Sequence, residues 1–156
     1  MWSYYKKYFT SIGIRCLSID IKGCNGSLKI DLRSPVDDYF YNKFDIVTNL
    51  GTTEHIYPLE GQYEAFKNIH LCTKKNGVMF HFLPIYTEEQ RHGAVVYKDK
   101  FFTTLSKLNN YEIINMEQYD RKRGDMYWCI CFRKLEENEF TIRKNKFNKY
   151  IESLKD

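Results

Sequence analysis

Apolar side chains along the chain follow two different spacings, and the spacing predicts which segments are helices and which are strands. In residues 2–12 they recur every three or four positions before Gly13, which predicts a helix that ends at the glycine. The same spacing predicts helices at 60–75 and 97–109 and a C-terminal helix at about 144–155. Short apolar runs predict strands, which in chain order are 15–21, 28–32, 44–50, 78–83, 111–119 and 126–133.

This order of elements is typical of an open α/β sheet with helices between the strands. The last two strands are about six residues apart, which indicates an antiparallel hairpin. We therefore expect one domain over residues 1–156, with a mostly parallel sheet, an antiparallel strand near one edge and helices on both faces. In such sheets ligands bind beyond the carboxyl ends of the strands.

Composition and charge narrow the class of protein. The chain has 156 residues, of which 43% are hydrophobic, enough for the core of one domain. No apolar run approaches the roughly 18 residues of a membrane span. The 24 basic and 20 acidic residues are interleaved, so a nucleic-acid partner is not indicated. Five cysteines without regular spacing favour a reducing compartment, and we expect a cytoplasmic protein.

Two carboxylates stand at the ends of neighbouring predicted strands. Asp20 lies between Ile19 and Ile21, and Asp31 repeats the arrangement in the next strand. An acid at this place can accept both hydroxyls of a ribose, as it does in dinucleotide-binding folds. The alternative is a carboxylate that caps or solvates a loop. Two such acids on neighbouring strands are better support for a nucleotide site than either alone. We expect both carboxylates to be accessible and free of salt bridges.

The segments LSIDIKG, KIDLRSPV, KFDIVTNLGTTEHI and NGVMFHFLP, in this order, resemble the class I S-adenosylmethionine-dependent methyltransferases from their second strand onward. The hairpin at 111–133 is similar to the antiparallel last strand of that family. The resemblance implies a Rossmann-like methyltransferase sheet and transfer of a methyl group from S-adenosylmethionine to an unidentified acceptor. It also assigns seven residues to the cofactor: Asp20 and Ile21 at the ribose, Asp31 and Leu32 at the adenine, and Asn49, Leu50 and Gly51 beneath the methionine moiety.

The resemblance also implies an N-terminally truncated fold. The first strand and the glycine-rich loop of the family would precede the helix at 2–12, whereas Gly23 and Gly26 follow the second strand and form a plain loop. Without the first strand, the strands 15–21 and 44–50 would lie about 9–10 Å apart. We expect either that these two strands pair directly, which would narrow the cofactor cleft, or that a second copy or another chain completes the sheet.

The loop after the strand 44–50 carries the candidate substrate-side chemistry. Methyl transfer to oxygen or nitrogen needs a base or an orienting acceptor beside the nucleophile, and Glu54 and His55 supply both types. The alternative is that either residue caps or braces the loop. A metal site is not predicted, because the histidines have no ligand spacing and no partnering cysteine pair.

Two other functions remain open beside an active methyltransferase. A non-catalytic remnant or interaction module, as a fragment of a longer enzyme with impaired cofactor binding, is supported by the missing first strand and loop. A fragment of a nicotinamide-dependent dehydrogenase would share the acid at the end of a strand. The antiparallel C-terminal hairpin at 111–133 disfavours this last reading.

Overall fold

The computed structural model describes residues 2–85, 93–120 and 126–154, and they form an α/β fold. In chain order the elements are α1 (Trp2–Ser11), β1 (Ile19–Asp20), β2 (Leu28–Lys29), β3 (Phe44–Leu50), α2 (Glu60–Cys72), β4 (Thr73–Pro84), β5 (Val95–Tyr97), α3 (Asp99–Asn109), β6 (Tyr111–Asp120), β7 (Met126–Lys134), α4 (Lys144–Asn148) and β8 (Ile151–Ser153). None of the helices in this part of the chain is long and apolar enough to cross a membrane.

The main sheet has four strands in the order β3–β4–β7–β6. Strand β3 runs parallel to β4, with Asn49 beside His81, while β4–β7 and β7–β6 are antiparallel pairs. Two small pairs lie outside this sheet: β1 with β2, which is parallel, and β5 with β8, which is antiparallel. The described strands therefore form a mixed sheet, and the expected mostly parallel sheet is not observed.

The core is aromatic and lies on one face of the main sheet. Alternate residues of β7 are buried, as the period of a strand requires. Their face packs against α2, α3 and α4 through rings that are at most 2% exposed, except for Trp128 at 5%: Phe66, Phe101, Phe102, Trp128, Phe132 and Phe147. Helices were expected on both faces, but α1 packs against the turn Cys24–Gly26.

Strand prediction succeeded where the strands have partners. The structure confirms the strand at 44–50, and the hairpin strands extend one residue beyond the predicted 111–119 and 126–133. The predicted strand 15–21 is reduced to Ile19–Asp20, and the strand 28–32 to Leu28–Lys29. No pairing joins β1 to β3 within the described residues, so the first of the two expected outcomes, direct pairing of 15–21 with 44–50, is not observed. Among the described residues, β1 and β2 pair only with each other, and their apolar side chains stay exposed.

The predicted C-terminal helix at 144–155 is correct for its first five residues and wrong after Asn148. Helix α4 ends at Asn148, and Ile151–Ser153 forms β8, which pairs with β5. Strand β5 takes up Tyr97, so the helix predicted at 97–109 begins at Asp99 instead. Pairing with β8 satisfies backbone N–H and C=O groups of β5 around the fully buried Val95 and Val96. A helix over 151–153 could not form these hydrogen bonds to β5.

Candidate functional site

The candidate site lies where β3 ends and turns back toward α2. Parallel pairing with β4 places Leu50 opposite Phe82, and the exposed Gly51 then turns the chain at a φ of 67°. An L side chain rarely adopts this backbone conformation, so glycine is favoured there. A single turn of 3₁₀ helix, Thr53–His55, follows. The sharp turn brings Glu54 under the end of the strand, where a Cβ on Gly51 would lie 3.4 Å from Glu54 Oε1.

Glu54 is the most unusual group in this turn. Its side chain is 1% exposed, and neither carboxylate oxygen has a hydrogen-bond partner within the part of the chain that the structure describes. Burial raises the pKa of Glu54 from 4.5 to about 7, because the ionised form loses its water. The Nε2 atom of His55, a half-exposed side chain, lies 3.8 Å from Glu54 Oε1. The two residues predicted to act together are therefore adjacent.

Backbone from a distant segment covers the other side of Glu54. Ala94 donates its N–H to the carbonyl of Glu54 over 2.6 Å. Gly93, at a φ of 94°, approaches so closely that a Cβ would lie 3.0 Å from Glu54 Cγ. Glycine thus allows the chain before β5 to pack directly on the Glu54 side chain.

Buried polar side chains lie below the turn, and the sequence analysis did not predict that they are grouped there. Asn49 of β3 bonds Thr53 in the turn, and Tyr97 of β5 bonds both Thr53 and Gln62 of α2. His81 of β4 bonds Asn49. The only local signals were a glutamine inside an amphipathic helix and a tyrosine in an apolar run.

Asp20 lies at the carboxyl end of β1, as predicted, and its neighbour Ile21 is 54% exposed. The exposed Asp20 carboxylate accepts the backbone N–H of Lys22 over 2.7 Å and that of Cys24 over 3.5 Å. Asp20 therefore caps the turn after its strand. Both bonds end on Oδ1.

Asp31 lies two residues beyond β2 and is held by Arg33. The Arg33 guanidinium donates to both carboxylate oxygens, with a shortest contact of 2.7 Å. These hydrogen bonds lower the pKa of Asp31. Both acids were expected to be free of salt bridges. That expectation is wrong for Asp31, because the DLR sequence lets the acid and the base close a local bidentate pair.

The loop that carries Asp31 lies against the segment that follows the Glu54 turn. Arg33 donates to the carbonyl of Tyr57 over 3.4 Å, and its side chain fills the space that a Cβ on Gly61 would need. Asn68 of α2 donates to the carbonyl of the half-buried Leu32 over 3.1 Å. The structure thus holds Asp31 and Leu32 beside the chain that leaves the candidate site.

Comparison with known proteins adds one structural likeness. No family model matches the chain, and no curated protein matches it in sequence. A solved structure does match: the Burkholderia thailandensis 1,6-didemethyltoxoflavin-N1-methyltransferase, with bound 1,6-didemethyltoxoflavin and S-adenosylhomocysteine. The superposition has a TM-score of 0.63 at 12% sequence identity, and it covers 84% of this chain and 66% of that enzyme, slightly under two thirds. At this identity the likeness concerns the fold alone: the chain shares its fold with that methyltransferase.

Proposed function

We propose that this chain is an S-adenosylmethionine-dependent methyltransferase domain in which Glu54 accepts the proton of the methyl acceptor. One observation carries the proposal: a carboxyl that is 1% exposed and has no hydrogen-bond partner among the described residues lies at the end of β3. Such a group lowers the stability of the folded state. Its place in a methyltransferase fold is explained if it has a partner only when a substrate is bound.

The residues around β1 and β3 partly fit the cofactor. Asp20 uses only Oδ1 in its turn, which leaves Oδ2 for a ribose hydroxyl. Asn49, Leu50 and Gly51 would lie beneath the methionine moiety, where the glycine presents backbone instead of a side chain. The cofactor supplies a methyl group activated by its sulfonium. At the adenine, Leu32 fits better than Asp31, whose two oxygens already bind Arg33.

The chemistry of Glu54 suits a proton acceptor. With a pKa of about 7, the carboxyl is partly ionised near neutral pH and can take a proton from an N–H or O–H group. His55, at 3.8 Å and half-exposed, orients the acceptor or passes the proton to solvent. We therefore propose an acceptor with an N–H or O–H at its nucleophilic atom. A nitrogen acceptor is the first class to test, since the structural neighbour is named as an N1-methyltransferase.

Calorimetric titration with S-adenosylhomocysteine tests the cofactor site. We expect the chain to bind it, and Asp20→Ala to weaken binding by about 1–3 kcal/mol, or roughly 5- to 150-fold, because ribose hydroxyls lose their acceptor. Unchanged affinity in that variant would remove the ribose role of Asp20. Lys29→Ala, on the paired position of β2, is the matched control and should bind normally.

The substrate side is tested separately. Glu54→Gln and His55→Ala should lower turnover with a nitrogen acceptor while the affinity for S-adenosylhomocysteine stays nearly unchanged. Equal loss of cofactor binding in both variants would show that the loop belongs to the cofactor site or is needed for folding.

A non-catalytic role is the second candidate, and the Asp31–Arg33 pair is the observation that favours it, since it occupies an acid expected at the cofactor. A folded chain without measurable affinity for S-adenosylhomocysteine would support this role. For either function we propose the cytosol, because the thiols of all five cysteines are free.

A further inference from the structure

A network of buried polar side chains lies directly below the turn that carries Glu54. Its members come from β3, the turn, α2, β4 and β5, and each is at most 3% exposed: Asn49, Thr53, Gln62, His81 and Tyr97. Most buried polar groups in proteins are hydrogen-bonded. In this network every polar side-chain atom except Nε2 of His81 has a partner among the described residues, which determines which groups donate and which accept.

The hydrogen bonds of Gln62 determine which groups donate on its side of the network. Its Nε2 atom lies 2.6 Å from the carbonyl oxygen of Thr53 and 2.7 Å from that of Ile56, so the amide hydrogens point to these two acceptors. The Oε1 atom then faces the hydroxyl of Tyr97 at 2.8 Å and can only accept. Tyr97 has a single hydrogen, which it donates to Gln62. The Thr53 hydroxyl, also 2.8 Å away, must therefore donate to Tyr97.

Asn49 completes the network from the other side. Its Oδ1 accepts the backbone N–H of Thr53, and its Nδ2 donates to the hydroxyl of Thr53 and to Nδ1 of His81. An acceptor at Nδ1 requires neutral His81, which agrees with burial lowering the pKa of His81 to about 3. Thr53 is thus held by its N–H, its carbonyl and its hydroxyl.

We propose that Tyr97 and Gln62 are positioning residues of the candidate methyl-transfer site, which hold Thr53 and so keep the neighbouring Glu54 turned inward. This inference rests on the proposed function. A buried carboxyl without a hydrogen-bond partner tends to rotate into water. Among the described residues, the backbone of Glu54 is held only by its own turn and by the hydrogen bond from Ala94. The hydrogen bonds of Thr53 to three separate segments oppose that rotation.

The test removes single hydroxyl groups from the full chain and follows the carboxyl of Glu54 by ¹³C NMR. Glu54→Gln identifies its signal. In Tyr97→Phe the ring contacts with Phe66 and Phe101 remain, while the bonds to Thr53 and Gln62 are lost. We expect the midpoint of the Glu54 titration to fall by about one pH unit toward the ordinary value of a carboxyl, because water then solvates the ionised form more easily.

The matched control is Tyr111→Phe, which deletes another buried tyrosine hydroxyl, 2.6 Å from His70 Nδ1 and outside the network. Its Glu54 midpoint should equal that of the wild type. A second pair guards against misfolding of Tyr97→Phe: Thr53→Val should lower the midpoint, and Thr53→Ser, which keeps the hydroxyl, should restore it.

Equal midpoints in the wild type, Tyr97→Phe and Thr53→Val would overturn the positioning role, and so would an equal fall in Tyr111→Phe. The readout does not depend on catalysis. A chain that shows the expected midpoints but binds no S-adenosylhomocysteine would therefore refute the proposed function and leave the positioning role standing.

Discussion

Two regions of the molecule with similar apolar content are packed very differently. In the N-terminal segment, residues 6–31, no side chain is buried, and Ile12, Ile14 and Leu17 are 44–54% exposed. In the packed region, residues 60–85 and 93–154 as far as the structure describes them, Phe101 and Phe132 are fully buried. The difference follows from pairing. Strand β4 has a partner on each side, whereas β1 has only the two-residue β2.

Strand propensity alone does not make a strand. The segment 15–21 is as apolar as many strands, yet only two of its residues pair, because its other backbone edge meets no strand in the described part of the chain. The residues proposed for the cofactor and for the methyl acceptor lie on both sides of this division. Glu54 is fixed by the packed region, while Asp20 depends on the N-terminal segment.

The largest expected effect is the loss of a core ring. Phe66→Ala should lower the free energy of unfolding by about 3–5 kcal/mol, because Phe66 is 2% exposed and contacts Phe101, Phe147 and His81. The same change in the N-terminal segment, Phe9→Ala, removes a ring that is 37% exposed and should cost less than about 0.5 kcal/mol. Denaturant unfolding of both variants measures the contrast. Equal losses would show that the N-terminal segment belongs to the cooperative core.

The boundaries of the sequence prediction follow the same contrast. Strand β3 and the β6–β7 hairpin were predictable, since short runs rich in β-branched and aromatic residues are typical of strands. Strands β5 and β8 were not, because two three-residue strands more than 50 positions apart leave no local period. Phe147, Tyr150 and Ile151 have helical spacing because they contact the core, although only the first of them lies in a helix.

The candidate site was predictable to a similar extent. Glu54 and His55 could be found because they follow a clear strand into a glycine turn. The positioning network could not, since Thr53, Gln62 and Tyr97 meet only through the tertiary fold. The Asp31–Arg33 pair was visible in the sequence as an acid and a base two residues apart. The strand assigned to 28–32, however, did not predict the local turn in which they pair.

The next effect concerns the pH dependence of stability in the packed region. Between pH 4.5 and about 7, folded Glu54 keeps a proton that the unfolded chain has released, so the stability of the wild type falls as the pH rises through this window. Glu54→Gln has no such proton. Relative to the wild type, the variant should gain on the order of 3 kcal/mol between pH 4.5 and pH 8.

The buried histidines do not affect this difference in stability between the wild type and Glu54→Gln. Burial lowers the pKa of His70 to about 4 and that of His81 to about 3, so both favour the folded state increasingly as the pH rises to 6.5. These contributions are shared by the two proteins and cancel in the difference. A difference between wild type and Glu54→Gln that does not change with pH would contradict a buried carboxyl without a hydrogen-bond partner.

A smaller effect is expected at the unpaired backbone edges of β1 and β3. Completion of the sheet by a second copy or another chain stays a prediction, and a strand placed there would protect amides in 15–21 and 44–50. For a second copy, hydrogen exchange at these amides should slow with rising protein concentration, and light scattering should report a dimer. Exchange in β7 should not change with concentration. Fast exchange at 15–21 at every concentration would exclude self-association through this edge.

The smallest expected effect is at Asp31, in the N-terminal part of the candidate site. Its side chain and that of Arg33 are 37% and 44% exposed, and water screens an ion pair at such positions. Asp31→Asn should therefore leave the melting temperature unchanged within error. Since Arg33 already binds both oxygens, the affinity for S-adenosylhomocysteine should also change less than in Asp20→Ala. If calorimetry showed equal weakening in the two variants, the pair with Arg33 would have to open on binding, and Asp31 would regain the adenine role that the sequence suggested.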